Sequence, residues 1–232
     1  MLLPLLLSLL GLTQAQHHCC APIQWEAYLG QIEGYYKPNT HAAGLIQGVD
    51  IVSYDALNQR MVITTNLYAD GVHLPITTVH NDYANHVQWK FNSTSCSKVA
   101  ITGKMPSNCI PANANYTGAI YFGVGRDKLM MDAWTYALSN VRFSITMTQN
   151  GCYPVTEGIV GTFGADAGTI SQCKTGDCTD AIIAYGITGL TVGIKSQSIF
   201  DLPGHCQAPS SHDPIDGYTV AHHLHEIRKR QA

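Results

Sequence analysis

Apolar residues in this chain recur at every second position. Val87, Trp89 and Phe91 alternate with His86, Gln88 and Lys90, and Val141, Phe143, Ile145 and Met147 alternate with Arg142, Ser144, Thr146 and Thr148. Met61, Ile63, Thr65 and Leu67 share one side of their segment in the same way. A period of two sends successive side chains to opposite faces of an extended strand, so these segments read as strands with one buried and one wet face, as in antiparallel sheets. Similar readings place strands over 22–29, 48–54, 98–102, 119–124, 130–138, 156–163 and 181–194, giving about ten strands separated by Gly, Pro and Asn turns. The expected fold is all-β, a sandwich or half-open barrel. Helical periodicity is confined to Val220, His223, Leu224 and Ile227 near the C-terminus.

Residues 2–12 are an uncharged Leu-rich run followed by Thr13-Gln14-Ala15. As a helix the run spans about 16 Å, short of the roughly 30 Å hydrocarbon core, and small residues follow where a signal peptidase cuts. Residues 1–15 are therefore expected to be a secretory signal, 16–206 a single β domain and 207–232 a Pro/Ser/His-rich tail that is partly helical. The longest other uncharged apolar stretch, 181–194, is rich in Gly and Ile and reads as a buried strand, so no transmembrane segment is expected.

Export determines how the cysteines are read. Cys19, Cys20, Cys96, Cys109, Cys152, Cys173, Cys178 and Cys206 lack CxxC metal-ligand clustering and are expected to form up to four disulfides. Eight cysteines allow about a hundred pairings, and local spacing suggests only Cys173 with Cys178 across Lys174-Thr175-Gly176-Asp177. The sequons Asn92-Ser93-Thr94 and Asn115-Tyr116-Thr117 mark expected glycosylation sites at Asn92 and Asn115. Charge is scarce, with 12% Asp, Glu, Lys and Arg and a net charge of −3, which excludes a basic nucleic-acid binder. The 45% apolar content excludes intrinsic disorder.

Catalytic motifs are missing. His225-Glu226 is not followed by the second histidine of HExxH, and no GxSxG elbow occurs. The expectation is a non-enzyme with no catalytic residues. Cleavage after Ala15 would expose Gln16-His17-His18, an arrangement able to bind Cu(II), although a flexible polar terminus is the plainer reading. His222, His223 and His225 read as a solvated helical face rather than a zinc site. No EF-hand loop is present, and the loop acids Asp166, Asp177, Asp180, Asp213 and Asp216 are equally suited to turn capping. Trp25, Tyr54, Trp89, Phe91 and Trp134 all fall on strand candidates. They could fill an ordinary core or line a pocket for an apolar ligand.

Six motifs in order resemble the ependymin-related proteins: Cys20-Ala21-Pro22-Ile23-Gln24-Trp25-Glu26, Ser53-Tyr54-Asp55-Ala56-Leu57-Asn58-Gln59-Arg60, Cys96-Ser97-Lys98, Ile110-Pro111, Cys152-Tyr153-Pro154-Val155, and Gly193-Ile194-Lys195 before Phe200 and Cys206. Ala27 stands where vertebrate members carry glycine, and the cysteine set points to an invertebrate branch. The resemblance implies two packed antiparallel sheets around a deep hydrophobic pocket, similar to bacterial lipoprotein-carrier folds, and a homodimer. It further implies an extracellular or lysosomal glycoprotein that associates with calcium and binds a lipid or other hydrophobic ligand. An adhesive role in extracellular matrix, mucus or a shell layer is the alternative. By the same resemblance Cys20 would pair with Cys152 and Cys96 with Cys206, leaving Cys19 for Cys109.

Overall fold

The computed structural model describes residues 19–101, 103–138, 140–164 and 178–206. The expected signal, the Gln16-His17-His18 terminus, the Cys173 side of the Cys173–Cys178 pair and the tail with its histidines lie outside them, as do Asp166, Asp177, Asp213 and Asp216.

Alternation carries through to twelve strands. They are β1 (Gln24–Lys37), β2 (Ala42–Asp55), β3 (Arg60–Ala69), β4 (Val72–His73), β5 (Thr77–Asp82) and β6 (Val87–Phe91). β7 (Cys96–Ala100), β8 (Asn115–Val124), β9 (Asp127–Leu138), β10 (Val141–Thr148), β11 (Pro154–Gly164) and β12 (Cys178–Val192) complete the set. All pairings are antiparallel, in the order β7-β6-β5-β3-β2-β1-β12-β11-β10-β9-β8, with the short β4 added beside β3. Among the described residues no helix is long and apolar enough to cross a membrane.

The two layers that the resemblance implies are halves of one continuous sheet, joined where β1 pairs with β12 from Trp25↔Val192 to Tyr36↔Asp180. Six strand steps separate β3 from β9, about 29 Å in a flat sheet at about 4.8 Å per step. Yet Met61 and Ile63 on β3 line the same cavity as Tyr136 on β9 and Ile145 on β10. The sheet therefore folds over on itself into a trough, and its end strands β7 and β8 do not pair. This is a half-open barrel made by curvature rather than by two separate sheets.

One cluster fills the inside of the trough. Leu29, Val52, Tyr54, Met61 and Ile63 contribute from one half, and Tyr136, Val141, Phe143, Ile145, Ile159, Ile183 and Tyr185 from the other. Tyr136 and Phe143, directly opposite in the β9–β10 register, stack at 4.7 Å. At the base of the β2–β3 hairpin, Asp55 is fully buried and serves as the anchor. Asn58 donates to it from both backbone and side chain, Gln24 donates from β1, and Arg60 donates through Nε at 2.9 Å. Burial pushes the Asp55 carboxyl up, but the donors from Asn58, Gln24 and Arg60 outweigh it and hold its pKa below the ordinary carboxylate value. The Arg60 guanidinium also lies 3.8 Å over the Phe200 ring, pinning the 3-10 turn Gln197–Phe200 onto β3.

Three disulfides close the described chain, and two differ from the expected pairing. Cys96–Cys206 is present, but Cys19 joins Cys152 and Cys20 joins Cys109. Backbone register explains the exchange. Ala21 donates to Asn108 and Ile110 donates to Cys19, so Cys20 and Cys109 face each other as an antiparallel bridge. In an extended segment the neighbouring Cys19 must then point to the opposite side, where Cys152 lies. Cys178 is disulfide-bonded.

Candidate functional site

Inside the trough lies an apolar cavity of about 90 Å³. Trp25 from β1 and Tyr54 from β2 are opposed in register and stack at 5.4 Å to form part of its wall. Leu29, Val52 and Ile187 continue the wall across the centre of the sheet, and Met147 and Ile145 face them from β10. Residues 106–111 lie across this space, fastened by Cys20–Cys109 and by the Tyr54 hydroxyl, which donates to the Pro106 carbonyl at 2.7 Å. An apolar cavity of about 150 Å³ holds one benzene. An acyl chain therefore requires this cover to shift.

Of the five aromatic residues expected to line a pocket, the structure places Trp25 and Tyr54 on the cavity wall. Trp134 is buried opposite Ile145 and packs edge-on against Tyr116 at 5.8 Å, beside the cavity but not on its wall. Trp89 and Phe91 stand apart, because β6 is next to last at the β7 end of the sheet. There Trp89 is covered by the Lys98 ammonium at 4.6 Å, and Phe91 lies opposite Cys96.

A polar stripe crosses the same inner face. Gln31 and Glu33 of β1, Asp50 of β2, and Glu157 and Tyr185 of β11 and β12 are all buried. The register sets Gln31 opposite Tyr185, Tyr185 opposite Glu157, and Asp50 opposite Leu29. Burial raises the Glu33 carboxyl to about 7, only partly countered by the hydrogen bond from Gln31 at 3.1 Å. Burial and then the Glu33 charge raise Asp50 to about 7 as well. The Tyr185 hydroxyl is pushed well above its ordinary value, first by burial and then by Asp50, Glu33 and Glu157. Glu157 also lines the cavity, so the stripe and the apolar space meet there.

Little in the sequence marks this stripe. Its members lie on four strands, and Gln31 and Glu33 follow Leu29 at strand spacing, where an apolar residue is expected. Two polar residues continuing an inward register were the available signal.

Among the described residues no three His, Cys, Asp or Glu are placed to hold a metal ion. Asp180, one of the loop acids, lies on β12 and accepts from Thr162 at 2.6 Å. At the first sequon, the Asn92 side-chain carbonyl accepts from the backbone and hydroxyl groups of Thr94 and Ser95, none of which engage its amide nitrogen. Asn115 is exposed at the start of β8.

An antiparallel trough tied by disulfides around an apolar cavity defines the class: an all-β protein with a half-open, curved sheet. Residues 75–206, more than half of the chain, match the Ependymin family model, and the chain belongs to that family. Ependymin-related protein 1 of Haliotis asinina is 23% identical over 219 residues, covering 90% of this chain and all of the relative. Mammalian ependymin-related protein 1 of Mus musculus is 22% identical over 232 residues, covering 92% and 87%. The solved structure of PNGF-II overlaps 75% of this chain and 30% of that chain at 11% identity, with a TM-score of 0.27, too loose to bear on fold or function. Family membership is consistent with a secreted, extracellular glycoprotein.

Proposed function

We propose that the protein is a non-enzymatic carrier that holds a lipid or other hydrophobic ligand inside the trough. The observation that supports this most is the apolar cavity beneath a short cover, with Trp25 and Tyr54 stacked at its wall. The cover is held by the Cys20–Cys109 disulfide, the Tyr54 hydrogen bond and backbone bonds to Cys19 and Ala21, none of which belongs to a pairing between the twelve strands, so it can lift without breaking the sheet. Organic extraction of the purified protein, followed by mass spectrometry, should release an apolar passenger. The stripped protein should rebind single-chain lipids with a change in Trp25 emission. A stripped protein that binds no hydrophobic probe at micromolar concentration would refute the reading.

The outer face of the central strands supports a homodimer. Tyr28 and Ile32 on β1, Val49 and Ile51 on β2, and Ile182 on β12 all point outward, Ile32 being 59% and Ile182 62% exposed. A contiguous apolar patch on a soluble surface is a usual mark of an interface. In sedimentation, the wild type should run as a dimer and Ile32→Asp/Ile182→Asp as a monomer. A monomeric wild type at high micromolar concentration would refute it.

A further inference from the structure

Among the described residues, three of the buried polar atoms without a hydrogen-bond partner lie on the central strands β1, β2 and β12: Gln31 Oε1, Asp50 Oδ1 and the Tyr185 hydroxyl; Trp25 Nε1 on the cavity wall and Asn81 Nδ2 on β5 are further ones on the inner face. Gln31, Asp50 and Tyr185 are each only 2% exposed. Leaving such a group unpaired costs about 1–3 kcal/mol, so their gathering in one place points to something that completes them. Gln31 and Tyr185 are direct cross-strand partners, and the Tyr185 hydroxyl lies within the electrostatic reach of Asp50, Glu33 and Glu157. The cluster therefore offers acceptors and carboxyls that can carry negative charge. It meets the apolar cavity at Glu157.

We propose that the trough selects amphipathic amines, with the ammonium head among Glu33, Asp50 and Glu157 and the apolar part in the cavity beside Trp25 and Tyr54. This rests on the carrier reading above and adds the chemistry of the head group. A metal ion is a poorer match, because it draws several oxygens to within about 2.6 Å and no three acids are so placed among the described residues. An ammonium needs only hydrogen bonds of about 2.8 Å and accepts looser geometry. It donates three protons, matching a site with surplus acceptors. A fatty carboxylate would face like charge, and an alcohol would bring no positive charge to Glu33 and Asp50.

Protons are coupled to this event. Both Glu33 and Asp50 titrate near 7 in the free protein. The titratable groups facing them are each other, Glu157 from β11 and Tyr185 from β12, while β3 contributes Thr65 and Leu67 and β10 contributes Phe143 and Ile145. A cation favours the ionised carboxyls, so binding near pH 7 expels protons to the buffer, and acidification weakens binding.

Calorimetry on the full chain tests this with dodecylamine, dodecanol and dodecanoate below their micelle concentrations, at pH 7 in two buffers of different ionisation enthalpy. The amine should bind at least about tenfold more tightly than either other chain, because a charge in a buried site is worth that much or more. The buffer comparison should report about one proton released per amine, and amine affinity should fall by about tenfold or more from pH 8 to pH 5. Glu33→Gln/Asp50→Asn should remove both the amine preference and the proton release. If that variant does not fold, Glu157→Gln and the wild-type buffer comparison decide. Equal binding of the three chains, or amine binding without proton release, overturns the head-group assignment and leaves the carrier reading standing. Failure of all three chains to bind overturns both.

Discussion

Replacing Glu33 with Gln should stabilise the protein at pH 8 and change little at pH 4.5. The carboxyl is 1% exposed, and its pKa is raised from 4.5 to about 7 by burial. A carboxyl whose folded pKa lies above its unfolded value contributes stability that is complete below the unfolded pKa and lost as pH rises through the folded one. The window therefore runs from about pH 4.5 to just above 7. Each pH unit is worth about 1.4 kcal/mol, giving an upper bound of about 3 kcal/mol for ionising Glu33 in place. Gln cannot ionise, yet its carbonyl can still accept from Gln31, as Glu33 Oε2 does at 3.1 Å. The substitution also removes the charge that helps raise Asp50, so part of that second penalty is relieved. Urea denaturation at pH 4.5, 6, 7 and 8 should show the two proteins diverging progressively, by about 2–3 kcal/mol at pH 8. In thermal melts at pH 8 this corresponds to a gain of about 4–12 °C for a domain of this size. A difference independent of pH, or a Glu33→Gln variant less stable at pH 8, would refute the argument. Either result would mean that the carboxylate is compensated in the folded protein.

The opposite pH dependence is expected at Asp55. Its depressed pKa means that its stabilisation is present above about pH 4 and lost as pH falls through the folded value, so Asp55→Asn should cost about 3 kcal/mol at neutral pH and progressively less in acid, measured by urea titration at pH 7 and pH 2. Removing the Cys96–Cys206 bridge by the double Ser substitution frees residues 110 apart in sequence and should cost about 4–5 kcal/mol in the chain-entropy model. A loss below about 1 kcal/mol in chemical denaturation would show that the reduced, unfolded chain is already held compact.

Strands with clean alternation were legible because their chemistry agreed with their burial. β10 runs Val141, Phe143, Ile145 and Met147 inward and Arg142 and Ser144 outward, as its sequence reads. β1 inverts that agreement beyond Leu29. Gln31 and Glu33 turn inward while Ile32 and Tyr36 face out, so the apolar residues lie on the wrong side for a core. Alternation therefore predicts a strand end at 29, whereas β1 continues to Lys37. β5 carries no apolar alternation for a related reason, since its buried residues include Thr77, His80 and Asn81. The polar stripe was hidden by the same inversion, and its four strands come together only through the register. The wall residues Trp25 and Tyr54 were legible because each is a large aromatic on an alternating segment. Trp89 and Phe91 carry the same signal, and strand order alone separates them from the cavity.

The neighbouring cysteines 19 and 20 lead to two distant places, Cys152 in the turn between β10 and β11 and Cys109 in the cover over the cavity. During oxidation, two thiols one residue apart compete for the same two partners, and the crossed isomer closes loops of nearly equal length. Chain entropy therefore scarcely discriminates between them. The native choice must come from the hydrogen bonds that align Ala21 with Asn108 and Cys19 with Ile110. Correct oxidation thus follows docking of the cover. A chain oxidised before that contact forms has no physical reason to prefer the native isomer, and its maturation would depend on a disulfide-reshuffling catalyst.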